Sequence, residues 1–446
     1  MRSLPSLAAA LFAFMTPVAI AAPPQAIAKL SERELSASIE RLERLWESQY
    51  ENHLQLDRTN AISTGRIRDT LARFAREDRR AALIYLAPAA NGIEIVVVGP
   101  DSDPRQVWVP VSKSRLDREL IHFAQTLRHP ATLPSFLRED YLPVGQKLYQ
   151  WLIAPIVDEL RARNIDTLLL CTGPGLRSLP FAALHDGEKF LIEEFALTRL
   201  AAFSLTDFGS DVAAETPALQ DASVLAMGAG EFATLPDLPG VPVEVRLAAA
   251  GASDIWLLDR DFTRDRLRRA LSLDRFEVVH LATHAEFLPG EASTSFIQFS
   301  DAPLGLDAMA TLGWETAGVE LLVLSACSTA VGNREAELGF AGLAYNAGVE
   351  SVVASHWPVD DTGTVTLMSE FYTQLRRLPT RAEALRAAQI ALLSGEVWTE
   401  QGILRGGTRE TAVVLPEPVT GNVPESKQEF SHPYFWASFS LIGSPW

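Results

Sequence analysis

From residue 167 to the C-terminus, short apolar runs of β-type composition alternate with helical segments, and few folds accommodate that order. Strands are predicted at 167–171, 223–227, 254–258, 276–281, 295–299, 321–325, 351–355 and 436–442, and helices at 243–250, 264–271, 338–347 and 364–375. This alternation predicts an α/β fold with a mostly parallel sheet covered by helices on both faces. Functional residues in such sheets lie beyond the carboxyl ends of the strands.

Upstream, apolar positions at helical spacing (Leu35, Ile39, Leu42, Leu45, Trp46, Tyr50) predict an amphipathic helix over 30–56, and a second over 67–76. No period of 34 or 40 residues recurs, which excludes a helical-repeat array. Alternating runs at 81–86 and 93–98, split by Asn91-Gly92, and a third at 107–111 predict a small β-meander. Helices follow at 116–127 and 146–163. A chain of 446 residues exceeds the size of one ordinary core, so two lobes are expected. The organisation is a leader at 1–21, an N-terminal helical arm at 22–79, a first lobe at 80–220 and a second at 221–446. The stretch 402–429, rich in Gly, Pro, Thr and Glu without periodicity, is expected to be a surface loop inserted in the second lobe.

The first residues read as an export signal. Met1-Arg2 precedes an apolar run through Leu7, Leu11, Phe14 and Val18, and Ala19-Ile20-Ala21 supplies small residues for cleavage. A periplasmic or secreted protein is the expectation, and no later apolar run is long enough to span a membrane. The formal charge of -17 disfavours nucleic acid as a partner, because an acidic surface repels phosphate. The two cysteines, Cys171 and Cys327, allow at most one disulfide, and pairing would block the thiol assigned to chemistry below.

Two apolar strands end in polar residues. One runs from Phe276 to Thr283 and His284, and the other from Leu321 through Ser325 to Cys327. If they are parallel neighbours, their ends lie about 5 Å apart, within reach of an imidazole and a thiol. A thiol near neutral pH is only slightly ionised, and an adjacent imidazole supplies the thiolate and later returns the proton to a leaving amine. The backbone N–H groups of Cys327 and Ala285 are the candidate oxyanion donors. The bland alternatives are a small buried cysteine and a core histidine. His280 reads as core, and a metal site is disfavoured because His280 and His284 lie about 13 Å apart on a strand. No cofactor is indicated.

The run His280-Leu-Ala-Thr-His284, the block Leu322-Val-Leu-Ser-Ala-Cys327-Ser-Thr-Ala and the block Ala347–Asp361 containing His356-Trp357-Pro resemble, in order, motifs of CHAT domains. So do Leu176-Arg-Ser-Leu-Pro180-Phe-Ala-Ala-Leu-His-Asp186 and His432-Pro-Tyr-Phe-Trp436-Ala-Ser-Phe. The resemblance implies a caspase-like fold related to separases and gingipains, with His284 and Cys327 as a peptidase dyad. The His precedes the Cys by 43 residues, near the roughly 50 of caspases. Ala285 stands where members usually carry Gly, and His356 where they commonly carry Leu. Asp360 and Asp361 are expected either to cap the following helix or to line, with Trp357, a pocket for a basic side chain of a peptide substrate.

The expected activity is therefore that of a cysteine endopeptidase, latent until a partner or a cleavage activates it. A papain-like enzyme is disfavoured because there the Cys precedes the His. A pseudopeptidase acting as a periplasmic interaction scaffold is the rival from another class.

Overall fold

The computed structural model describes residues 31–54, 63–75, 79–128, 140–208, 219–329, 333–407, 413–415 and 427–446; the leader at 1–21 lies outside them. The N-terminal arm holds helices α1 (Glu32–Leu54) and α2 (Thr64–Ala75), and the first lobe begins with strands β1 (Ala81–Ala89), β2 (Gly92–Val98) and β3 (Arg105–Val109). Helices α3 (Lys113–Arg128), α4 (Tyr141–Leu152) and α5 (Ala154–Ala162) lead to β4 (Thr167–Thr172), α6 (Leu191–Glu194) and β5 (Ala196–Leu200). The helix expected over 146–163 is two helices, because Pro155 in the first turn of α5 cannot continue the ladder of α4.

In the second lobe, β6 (Val224–Gly228), α7 (Val241–Ala248), β7 (Ile255–Leu258) and α8 (Arg264–Leu273) precede β8 (Val278–Phe287). After the hairpin β9 (Phe296–Gln298) and β10 (Pro303–Gly305) come α9 (Trp314–Ala317), β11 (Leu321–Thr329), α10 (Arg334–Ala341), α11 (Leu343–Ala347) and β12 (Ser351–Ser355). Helices α12 (Asp361–Leu375) and α13 (Arg381–Leu393) are followed by β13 (Val397–Glu400), β14 (Ile403–Gly406), β15 (Val413–Val414), β16 (Gln428–Glu429), α14 (Pro433–Trp436) and β17 (Phe439–Gly443).

One sheet of 13 strands runs through both lobes in the order β10-β9-β8-β11-β12-β17-β5-β4-β1-β2-β3, with β6 pairing β8 and β7 pairing β6. The pairs β6–β8, β8–β11 and β11–β12 are parallel, as the alternation predicts. The meander continues the same sheet, since β1 pairs in parallel with β4. Strand β17 lies antiparallel to β12 and parallel to β5, so the C-terminal strand joins the lobes. Alternate residues of β1 feed the two cores: Ala82, Ile84 and Leu86 join a layer with α3, α4, α7, α12 and α13, whereas Ala81, Leu83 and Tyr85 pack beneath α1 and α2. Cys171 is a free, buried thiol of β4.

The loop expected at 402–429 is corrected in part: β14, β15 and β16 fall within it and build a separate sheet of order β15-β14-β13-β16. Gln401 and Gly402 both have positive φ, 53° and 70°, which gives a tight two-residue hairpin between β13 and β14. Residues 408–412 and 416–426 of that stretch lie outside the described residues.

Candidate active site

Strands β8 and β11 are parallel neighbours from Leu321↔Val278 to Ser325↔Ala282. The expectation that both strands stop at the polar residues is corrected. They continue to Phe287 and Thr329, because β9 pairs with the far end of β8 through Ala285↔Ile297. The register changes on the way. The next partners are Cys327↔Ala285, so Thr283 and His284 of β8 stand opposite Ala326 alone. Two residues against one is a bulge, a device that re-aims a side chain and recurs beside active sites. It puts the Cα of Cys327 one residue past His284 on the adjoining strand, at the interstrand spacing of about 5 Å.

His284 is half-buried and opens into a cleft whose walls include Leu238, Val241, Glu244, Ser325, Val359 and Asp361. Its Nε2 lies 2.8 Å from the carbonyl oxygen of Pro236. A carbonyl only accepts, so Nε2 carries the hydrogen and the neutral ring keeps its lone pair on Nδ1. Phe232 of the same segment stands edge-on to the imidazole at 4.7 Å between ring centres. Backbone and aromatic ring together fix the orientation of the imidazole.

The acidic residues divide their work. Asp360 caps α12, its Oδ1 accepting from Gly363 N–H at 3.1 Å, and burial raises its pKa. Asp361 turns to the cleft, where Oδ2 accepts from Gly240 N–H at 2.9 Å. Burial pushes its pKa up to about 6; the Gly240 N–H and His284 oppose the rise, and Glu244 and Asp360 add to it. Trp357 does not reach the cleft: it is buried, its Nε1 donating to Tyr434 O at 3.1 Å. Pro358 and Val359 line the cleft in its stead. His356 is buried with Nε2 2.8 Å from Ser440 Oγ, and burial pushes its pKa well down, so it is a neutral core group.

Sequence reasoning missed Glu244 and Pro236. Glu244 lies within the buried stripe of α7 formed by Val241, Val245 and Ala248, and a carboxylate on an apolar stripe was its available signal. Its Oε1 stands 3.2 Å from Nε2 of the buried His280, yet neither atom makes a hydrogen bond, since the approach is off the N–H axis. His280 Nδ1 lies 3.0 Å from the Tyr372 hydroxyl, so His280 belongs to the polar floor beneath the cleft. Pro236 acts through its carbonyl, for which no side chain gives a signal. Among the described residues no cluster of His, Cys, Asp and Glu could hold a metal ion.

The family model described as the CHAT domain matches residues 142–444, about two thirds of the chain. Comparison with curated proteins gives no match. Among solved structures, the chain is similar to a chain of the Saccharomyces cerevisiae separase–securin complex at 3.0 Å, with 9% identity and a TM-score of 0.48 over 86% of this chain and 31% of that one. The corresponding values for the same complex at 2.6 Å are 9%, 0.43, 86% and 32%. The chain thus spans about a third of the length of those chains.

Proposed function

The chain belongs to the CHAT-domain family, and on that premise we propose that it is an exported cysteine endopeptidase with Cys327 as nucleophile and His284 as general base. The observation that carries the reading is the bulge that sets His284 beside the Cys327 backbone while Pro236 O orients the imidazole. Nδ1 of His284 takes the thiol proton, the thiolate attacks the scissile carbonyl, and the imidazolium gives the proton to the departing amine. Water then attacks the thioester, His284 takes its proton, and the thiol is regenerated. Backbone N–H groups of Cys327 and Ala285 serve as oxyanion donors in this proposal.

The preferred substrate is a peptide with a basic residue on the acyl side of the cleaved bond. Asp361 and Glu244, both on the cleft wall, offer two carboxylates to an ammonium or guanidinium. In this proposal the leader read at 1–21 directs the enzyme to the periplasm or outside the cell. No helix of the described residues is long and apolar enough to cross a membrane. Latency until a partner or a cleavage opens the site is the form of this reading that an unlabelled mature protein would favour.

A second reading, a periplasmic interaction scaffold, draws on Ala285, which replaces the usual Gly and lies within the ladder between β9 and β11. An N–H engaged in a ladder is not free for an oxyanion. Acyloxymethyl-ketone peptide probes bearing Arg, Lys, Asp or Leu beside the warhead separate the two. Labelling of the mature protein that is strongest with Arg or Lys and vanishes in Cys327→Ala and His284→Ala supports the peptidase; no labelling of folded protein by any probe favours a latent enzyme or the scaffold.

A further inference from the structure

The stretch Leu176–Asp186, singled out by its motif, contributes nothing to the cleft walls. Its beginning instead grips α10, the helix that follows the nucleophile strand. Glu337 of α10 is buried, and its two carboxylate oxygens reach back to the first lobe: Oε2 accepts from Gly175 N–H at 2.9 Å and Oε1 from Ser178 Oγ at 3.1 Å. Two buried guanidinium groups attract the same charge. Arg177 is held by Gln49 Oε1 at 2.6 Å and lies over the Tyr50 ring, both residues of α1. Arg199 Nη1 donates to Arg177 O at 3.0 Å, which ties the gripping segment to β5.

The helix so held begins close to the site. Asn333 caps α10, its Oδ1 accepting from Glu335 and Ala336 N–H at 3.0 Å, and three residues of sequence separate it from the end of β11 at Thr329. Gly342, just past α10, packs so closely under α1 that an added Cβ would come within 2.8 Å of Leu54 Cδ1. Leu338 and Phe340 already bury the helix in the apolar core. A buried ionic clamp adds little to stability that apolar packing could not supply, and what it adds is a defined register.

We propose that Glu337 is a positioning residue for the nucleophile: the first lobe, through Gly175 and Ser178, fixes α10 and with it the backbone that carries Cys327. The inference rests on the dyad reading above. A misplacement of about 1 Å costs on the order of a hundredfold in rate, so a clamp of this kind acts on the chemical step and leaves peptide binding alone.

The test compares wild type, Glu337→Gln and the milder Ser178→Ala by labelling with the Arg probe and by hydrogen exchange. The expected result is a maximal labelling rate lowered roughly ten- to a hundredfold in Glu337→Gln and less in Ser178→Ala, with the half-saturating probe concentration unchanged and exchange raised in 334–341 but not in β8 or α12. An unchanged maximal rate, or a change confined to probe binding or thermal stability, overturns the proposal. Should wild type take no probe, the enzyme is latent or the dyad reading fails, and in either case alkylation of Cys327 by iodoacetamide in a Cys171→Ala background decides the clamp: a slower or pH-shifted rate in Glu337→Gln supports it, and equal rates overturn it.

Discussion

At the cleft wall, Asp361 carries a charge that its surroundings oppose. Its pKa of about 6 in the folded chain stands above its ordinary value of 3.8, chiefly through burial. A carboxylate shifted upward weakens the fold wherever it is ionised and the unfolded group would be too, so the penalty is present above pH 6 and fades as the pH falls through 6 toward 4. Asp361→Asn removes the charge and keeps an oxygen for Gly240 N–H. It is expected to stabilise the protein by about 1–2 kcal/mol at pH 8, after allowance for partial exposure, and by nothing measurable at pH 4. Urea unfolding at the two pH values checks this. The same ionisation predicts that the ratio of Arg-probe to Leu-probe labelling rises as the pH passes upward through 6, any pH effect on the chemical step being common to both probes, and that Asp361→Asn abolishes the rise; a constant ratio would remove Asp361 from the pocket. That His284 and Cys327 lie on adjoining strands was legible in the sequence, because polar residues ended apolar runs in a recognisable order. Pro236 was not, since its contribution is a backbone oxygen, and Trp357 was misplaced because an aromatic beside a motif reads alike as pocket wall or core.

Among the elements, strands and amphipathic helices were legible wherever one face is buried and the other is wet. Helix α13 gave no such pattern: its buried face carries Arg381 and Gln389 among Ala382, Ala384, Leu385, Ala388, Ala391 and Leu392, while Ile390 and Leu393 lie on the less buried face, so hydropathy scarcely separates the two. The bulge in β8 was also illegible, because it arises from the pairing of β8 with β11 and β9. Contact between α1 and α10 is likewise a tertiary fact, and Gly342 is its pivot. A Cβ there meets Leu54 Cδ1 at 2.8 Å, Leu338 O at 2.9 Å and Tyr50 Cδ1 at 3.1 Å. Because one of these atoms belongs to the backbone, Gly342→Ala is expected to destabilise by about 1–3 kcal/mol. A shifted midpoint in chemical denaturation checks the value, and an unshifted one would mean that α1 yields without cost. At the other end of the range, Thr380 caps α13 with its side chain accepting from Glu383 N–H at 3.1 Å, and Thr380→Ala is expected to cost about 1 kcal/mol.

Over the whole molecule, the question is whether two lobes unfold as two units or one. Strand β17 meets β5 through a single registered pair, Ile442↔Arg199, which alone would be a weak seam. Other contacts cross it. Thr198 Oγ1 of the first lobe donates to Gly443 O at 2.7 Å, and Arg386 of α13 donates to Ile192 O and Glu193 O at 2.7 and 2.5 Å. Glu337 grips Gly175 and Ser178 across the same seam. Helix α1 adds a further link: the buried Glu43 accepts from Tyr85 Oη, Phe203 N–H and Ser204 N–H, while Tyr50 of the same helix lies beneath Gly342 of the second lobe. None of these links could be read from sequence, because each joins residues distant along the chain, whereas the order of strands and helices within each lobe is local and was legible. Unfolding of either lobe exposes apolar surface of the other and orphans buried charges, so the two transitions are expected to merge. Calorimetry should show one peak with a van 't Hoff enthalpy close to the calorimetric one. Arg386→Ala, which removes two carbonyl contacts from the seam without touching the cleft, is expected to lower the midpoint and keep the single peak. Two resolved peaks in wild type would mean that the lobes fold independently, and the dependence of α10 on the first lobe would then have to be local to Glu337 and its partners.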